Sequence, residues 1–309
     1  MTVKIHPIAA PWKQFHLFSF LIEAPELAIV DTGVTESAAN LPAALEELGI
    51  RVEDIRWILL THGHVDHAGG AYALWEMTGR KAKVVVHEAD AEWVRRRSRH
   101  LEQYQTARAK YVHEEGGGAH MSAFLEEAIS GELEPDVLVR DGDTLNLGGG
   151  VTVSVHSIPG HSEGSVAYVV DGQDDVFVGD AVQIHGAANG FPGYVDADAY
   201  RDSLLKLRDE IRPKHLYLGH PYRSKDGEPY GVELDEAQAG EAIQQSIDHE
   251  ARIRAAYLSA RDGGRIAADE TPYSPFAAVA ESVGYTRDPR PEPSPFFITN
   301  HGYLCQFGQ

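Results

Sequence analysis

Cysteine is nearly absent: Cys305 is the only one in the 309-residue chain. A lone cysteine excludes an internal disulfide and removes thiolates from any metal site except at that one position. A reduced, cytoplasmic setting is the expectation that follows. Basic residues are scarce too, with 27 Lys and Arg against 47 Asp and Glu, for a formal net charge of −20. That balance argues against a nucleic-acid backbone or an anionic membrane as partner. No apolar run reaches membrane-spanning length, since Leu17 to Ile22 stops at Glu23, and the opening MTVKIHPIAAPWK lacks a signal-peptide core. Neither export nor a transmembrane segment is expected. Repeats, low-complexity tracts and charged tails are also missing, and the length allows one large domain or two modest ones.

Histidine, by contrast, is concentrated. The stretch LLTHGHVDHAGG, residues 59–70, places His62, His64, Asp66 and His67 within six residues, directly after the apolar run Trp57, Ile58, Leu59, Leu60. Such a run reads as a buried strand. Side chains leaving a strand end on one face can reach one metal together, while a following turn redirects the next ligands toward a second. Gly63, Gly69 and Gly70 would let the backbone bend where ligands crowd.

The same event recurs along the chain. Residues 14–34 read as two strands ending in a DTG turn, where Asp31 either caps the turn or supports the histidine cluster. A helix over Glu36 to Leu48 and a strand over Ile55 to Leu60 lead into the histidine motif. After a short helix and the strand Ala82 to His87 comes a long helical region. Val94, Leu101, Tyr104 and Tyr111 form one stripe there, with Arg97 and Arg108 on it. Those arginines belong to a solvated face, or one of them receives a carboxylate or phosphate on the substrate. Gly116 to Gly118 and a helix over Met121 to Ile129 complete an insertion that could cross the mouth of a site.

Strands over Val137 to Val139, Thr144 to Leu147 and Val151 to Ile158 precede PGHSEGS, which puts His161 on a tight loop before a strand from Ser165 to Val170. Val176 to Gly179 is apolar and ends in Asp180, a costly place for a carboxylate unless something positive faces it. Asp196 can cap a helix carrying Tyr200, Leu204, Leu207 and Ile211, and the strand His215 to Leu218 ends in Gly219, His220. A histidine or aspartate thus follows a strand end for the fourth time, and independent structural residues have no reason to choose the same topological position. A long helix from Leu234 to about Ala260 and a further one ending near Gly284 follow, and the break near residues 226–231 is the candidate subdomain boundary.

Five imidazoles and two carboxylates without a thiolate suit two divalent ions, zinc first, with iron or manganese as alternatives. The pattern resembles the metallo-β-lactamase superfamily over about residues 14–223. The features that carry the likeness are the DTG turn, the His-x-His-x-Asp-His cluster, PGHSEGS, the GD at Asp180 and the GH at His220. The resemblance implies an α/β fold, a four-layer αββα sandwich with both metals at one edge of the two sheets. The expected organisation is a catalytic domain over 1–225, with a helical insertion at about 88–131, and a helical C-terminal extension over 226–309 packed on the same domain. By the same resemblance, His62, His64 and His161 hold the first metal, Asp66, His67 and His220 the second, and Asp180 bridges them.

The implied activity is hydrolysis of a small ester, thioester or lactone by attack of a metal-bridging hydroxide. Asp66 would orient the hydroxide and carry its proton to the leaving group, and Tyr194 and Tyr222 are candidate phenol donors to the oxyanion. Within the superfamily, the acidic charge weakens the nuclease branches, the lack of a signal weakens true β-lactamases, and His-x-His weakens the flavin-linked diiron proteins. What remains resembles glyoxalase II-like thioesterases, acyl-homoserine lactonases and the quinolone-pathway thioesterase. The inserted helices after His87 and the helical C-terminus look more like the last of these than like glyoxalase II, whose glutathione-binding basic motif has no counterpart here. The alternatives are a phosphodiesterase of the same fold and a metal-containing binding or regulatory protein with little turnover. A small-molecule substrate is the expected partner, with no nucleic acid or membrane, and a homodimer is compatible with the sequence.

Overall fold

Alternating burial along the central strands dictates the layers. In the computed structural model, which describes residues 3–308 except 14, 188 and 225, Trp57 and Leu59 face one apolar cluster while Ile58 and Leu60 face another. Val166, Tyr168 and Val170 alternate in the same way with Ala167 and Val169. A strand buried on both faces must lie between two layers, so each sheet has the other sheet on one side and helices on the other.

In chain order, the first half supplies β1 (Lys4–Ala9), β2 (Phe18–Glu23), β3 (Leu27–Val30), α1 (Thr35–Glu47), β4 (Ile55–Leu59), α2 (Val65–Ala68), α3 (Ala71–Met77) and β5 (Lys83–His87). The insertion consists of α4 (Ala91–Arg95), α5 (Ser98–Thr106) and α6 (Gly117–Ala128), and β6 (Val137–Val139) completes the first sheet in the order β1-β2-β3-β4-β5-β6. The second sheet is built from β7 (Thr144–Asn146), β8 (Thr152–Ser157), β9 (Val166–Val170), β10 (Asp175–Phe177), β11 (His215–Tyr217) and β12 (Glu233–Asp235), ordered β12-β11-β10-β9-β8-β7. Its outer helices are α7 (Ala197–Lys206), α8 (Glu236–Asp262), α9 (Ala277–Val283) and α10 (Pro295–Phe307). Phe20, Leu59 and Val85 meet Val155, Tyr168 and Phe177 between the sheets, Leu41, Leu45 and Leu74 cover the first sheet, and Leu204, Ile243 and Phe296 cover the second. The architecture is the expected αββα sandwich.

Four departures have local causes. The strand β1 carries Pro7, which masks its pattern, and is tolerated because β1 is an edge strand paired only to β2. The long helical region after β5 is broken into α4, α5 and a single turn at Arg108–Lys110, with Arg96 extended between the first two. The segment after residue 226 begins with a strand, β12, which adds to β11 as the sheet edge before Asp235 and Gln238 form the capping box of α8. The PFFITNHGYLCQF tail is helical, with Pro295 in its first turn, where a missing N–H costs nothing.

Strand direction positions the chemistry. Since β3, β4 and β5 run parallel, as do β10 and β11, the residues that follow them emerge at a shared edge of each sheet. None of the described helices is long and apolar enough to cross a membrane.

Candidate metal centre

Seven side chains from the two sheets converge at that edge. His62 and His64 leave β4, one turn of α2 presents Asp66 and His67, His161 comes from the β8–β9 loop, and Asp180 and His220 follow β10 and β11. Their donor atoms fall into two groups, His62, His64 and His161, and Asp66, His67, Asp180 and His220. In the first, His161 Nε2 lies 2.8 Å from His64 Nδ1 and 3.2 Å from His62 Nε2. In the second, His67 Nε2 is 3.3 Å from His220 Nε2 and 3.1 Å from Asp180 Oδ1, and Asp66 Oδ2 is 3.2 Å from His220 Nε2. Asp180 faces both groups, because its other oxygen is 3.7 Å from His161 Nε2.

The outer ring atoms show which nitrogens turn inward. His161 Nδ1 donates to the Gly193 carbonyl (2.6 Å) and His220 Nδ1 to the His16 carbonyl (3.0 Å), so in both rings Nε2 is the nitrogen turned to the centre. His67 Nδ1 meets Asp31 Oδ2 at 2.8 Å. The same carboxylate accepts from the Thr61 hydroxyl (2.7 Å) and amide (2.8 Å), and the hydroxyl lies 3.2 Å from His62 Nδ1. Asp31 is therefore more than a turn cap: it orients a histidine of each group. Gln183 holds the Gly193 peptide from both sides, accepting from its amide at 2.6 Å and donating to its carbonyl at 2.7 Å.

Electrostatics divides the two groups. Burial, followed by repulsion among neighbouring imidazoles, holds His62 and His64 well below the usual histidine range, so they are neutral donors. Burial also works against charge on His67 and His220, but the Asp180 carboxylate, aided by Asp66 and, for His67, by Asp31, outweighs it. His67 is raised well above its ordinary value and His220 to about 10. Asp180 is held low, its burial more than offset by His220 and His67. Asp180 Oδ1 is thus shared, 3.1 Å from His67 Nε2 and 3.5 Å from His220 Nε2. Imidazole nitrogens converging on a buried, shared carboxylate, with no thiolate, fit divalent metal ions of the borderline class.

Close approach also explains the glycine of the GH motif, since a Cβ on Gly219 would lie 2.5 Å from His67 Cε1 and 2.8 Å from Asp180 Oδ1. Gly63, Gly69 and Gly70 work by the same logic and not by bending, for none has a positive φ.

The two tyrosines part company. Tyr222 is buried with its ring 5.7 Å from that of His220, and its phenol, without a hydrogen-bond partner among the described residues, is pushed well above its usual pKa by burial and by Asp180. Tyr194 instead donates to or accepts from the Tyr303 hydroxyl (3.0 Å) and stacks on Tyr200 at 4.3 Å, in the core under the C-terminal helices. Stacking aims the Tyr194 phenol at Tyr303 and Glu250, which lie on α10 and α8.

Of the two candidate arginines, Arg108 is buried and committed elsewhere, 2.7 Å from Glu292 and donating to Ser294 and the Arg290 carbonyl. Arg97 donates to the Ile129 carbonyl, clasping α6. The stripe reading of Tyr104 lies outside the described side chains. Sequence reasoning missed Trp93, whose ring meets that of His64 edge-on at 5.0 Å, and His100, which packs on Trp93 at 4.9 Å. It also missed Asp90, three residues beyond β5. The rule of an acid or histidine after each strand end would have found Asp90; nothing in the sequence marks the other two.

The metallo-beta-lactamase superfamily model matches residues 17–220. A hydroxyacylglutathione hydrolase from Rhodopseudomonas palustris is 30% identical over 219 residues, spanning 71% of this chain and 68% of that protein. Another from Hyphomonas neptunium is 27% identical over 209 residues, and the match spans 64% of its length. Among solved structures, a metallo-beta-lactamase family protein from Thermus thermophilus shares the fold at a TM-score of 0.67 and 21% identity, covering 99% of this chain and 94% of that one. With the motifs, the sandwich and the family model in agreement, the chain belongs to the metallo-beta-lactamase superfamily.

Proposed function

We propose that the protein is a binuclear metal-dependent hydrolase of a small ester, thioester or lactone. The observation that carries this reading is the convergence of seven donors in two groups sharing Asp180. Relatives whose names denote hydrolysis of an acylated glutathione, an acyl thioester, support the substrate class. His62, His64 and His161 would hold one ion, Asp66, His67 and His220 the other, with Asp180 common to both. Two divalent ions held by these residues, zinc by the donor set, would supply a water of near-neutral pKa and polarisation of a carbonyl.

The chain's own groups supply the rest. Asp66 keeps about a third of its side-chain surface open, at 32%, whereas Asp180 is almost enclosed. It is therefore the carboxylate that can orient an attacking water and pass its proton to a leaving group. Tyr222, buried beside His220 and Asp180, can donate to the oxygen that gains charge as the tetrahedral centre forms. Trp93 packs edge-on against the His64 ring.

The test is a panel of thioesters, esters, lactones and one phosphodiester, assayed on protein of measured metal content beside Asp66→Asn. Turnover of acyl substrates that falls about 10²-fold or more in the variant supports the reading. Cleavage of the phosphodiester alone sinks it, and equal, negligible rates in both proteins point to a binding protein instead.

A further inference from the structure

Asp90 has no part in either group of donors, yet it is completely buried beside one of them. Its Oδ2 accepts from the Gly63 amide at 2.8 Å and from the Ser162 hydroxyl at 2.7 Å, and its Oδ1 accepts from the Gly164 amide at 2.8 Å. Gly63 is the residue between His62 and His64, and Ser162 directly follows His161. One carboxylate therefore ties together the two loops that supply the three-histidine group, although one loop leaves the first sheet and the other joins strands of the second. Its seat is reserved: a Cβ on Gly164 would lie 2.5 Å from Asp90 Cγ. That contact gives the second glycine of PGHSEGS a reason that metal ligation does not.

We propose that Asp90 is the positioning residue of the His62, His64 and His161 metal position, fixing the separation of its two loops so that three nitrogen lone pairs meet at one point. The inference rests on the binuclear reading above. A metal site needs its ligands held to within about 0.5 Å, and the hydrogen bond to Gly63 sets the tilt of the peptide that joins two of the three. The fold has other ties at this edge, Val166 N to Thr61 O at 2.9 Å and Tyr168 Oη to Leu60 O at 3.0 Å, so loss of Asp90 loosens the loops without parting the sheets.

The experiment compares the full-length wild type with Asp90→Asn, Asp90→Ala and the milder Ser162→Ala. Zinc per chain is measured by mass spectrometry, zinc affinity by competition with a chromogenic chelator, and ligand geometry by the visible absorption of the cobalt-substituted protein. In both Asp90 variants one of two equivalents binds about 10- to 100-fold more weakly, the range for removing a group that orients a ligand. The other equivalent and its cobalt spectrum stay as in the wild type, and Ser162→Ala shifts the same equivalent by less. Wild-type affinity for both equivalents in the Asp90 variants overturns the proposal. So does equal weakening of both with a lowered melting temperature of the metal-free chain, which marks a general structural role. A wild type that takes up fewer than two equivalents overturns the binuclear reading itself, and the proposal falls with it.

Discussion

The two halves of the cluster are held by different means. His62, His64 and His161 form an all-imidazole group, two of its rings kept neutral by burial, and the Asp90 carboxylate meets that group only through its loops. Asp66, His67, Asp180 and His220 form a mixed group in which carboxylates raise the basicity of both rings, and Asp31 touches a ligand ring directly. One half offers neutral donors and relies on backbone placement. The other carries negative charge and relies on electrostatic attraction. The lesson is that five similar histidines do not make similar sites: the environment decides whether an imidazole waits as a neutral lone pair or as half of an ion pair.

The comparison can be broken most severely at the residue both halves share. Asp180→Ala should cost both equivalents, with zinc affinity falling more than the roughly 10- to 100-fold seen when only a supporting group is lost; equilibrium dialysis reads the result, and retention of two tight equivalents would show that Asp180 is not common to them. Stripping the metals with a chelator should then lower the melting temperature, since a ligand present at about 100 times its Kd adds roughly 2.7 kcal/mol to the folded state. An unchanged transition after verified removal would mean that the cluster is not stabilised by metal.

Tyr222→Phe leaves both donor groups in place and should lower kcat by about 10²-fold with stoichiometry unchanged, the usual cost of one oxyanion donor. A fall in metal content instead would move Tyr222 from chemistry to support. Asp31→Asn weakens the charge on the His67 side and should reduce zinc affinity there by about 10-fold, at the lower end for such groups because the amide keeps one acceptor oxygen. If the three-histidine equivalent weakens more, the Thr61 link to His62 outweighs the direct contact to His67. The smallest effect belongs to Tyr194→Phe, which loses only the bond to Tyr303. About 1 kcal/mol of stability is expected, with no change in kcat or metal content, read by denaturant unfolding and the thioester assay.

The donor set was legible because it follows a simple rule. Strands buried on both faces announce themselves as apolar runs, and a histidine or aspartate directly after such a run has its direction set by the strand. Contacts between distant elements left no such mark. Trp93 and Trp57 look alike in sequence, yet one lies against His64 and the other between the sheets. Tyr194 and Tyr222 were equal candidates until packing aimed one phenol at α10 and brought the other beside Asp180. The helical stripe that carried Arg97 and Arg108 was real in composition, but extended backbone at Arg96 broke it and the two side chains took separate partners.

The sequence alone determined the layers and the candidate donors. Apolar periodicity and residue type at a strand end are local properties, and the strand carries them to one edge regardless of what packs above. Tertiary structure alone decided the pairing of supports with ligands. Asp31 acts on Thr61 and His67, and Asp90 on Gly63, Ser162 and Gly164, across separations of 27 to 74 residues. A buried carboxylate takes whichever donors the fold brings within about 3 Å, and no local pattern can state in advance which those will be.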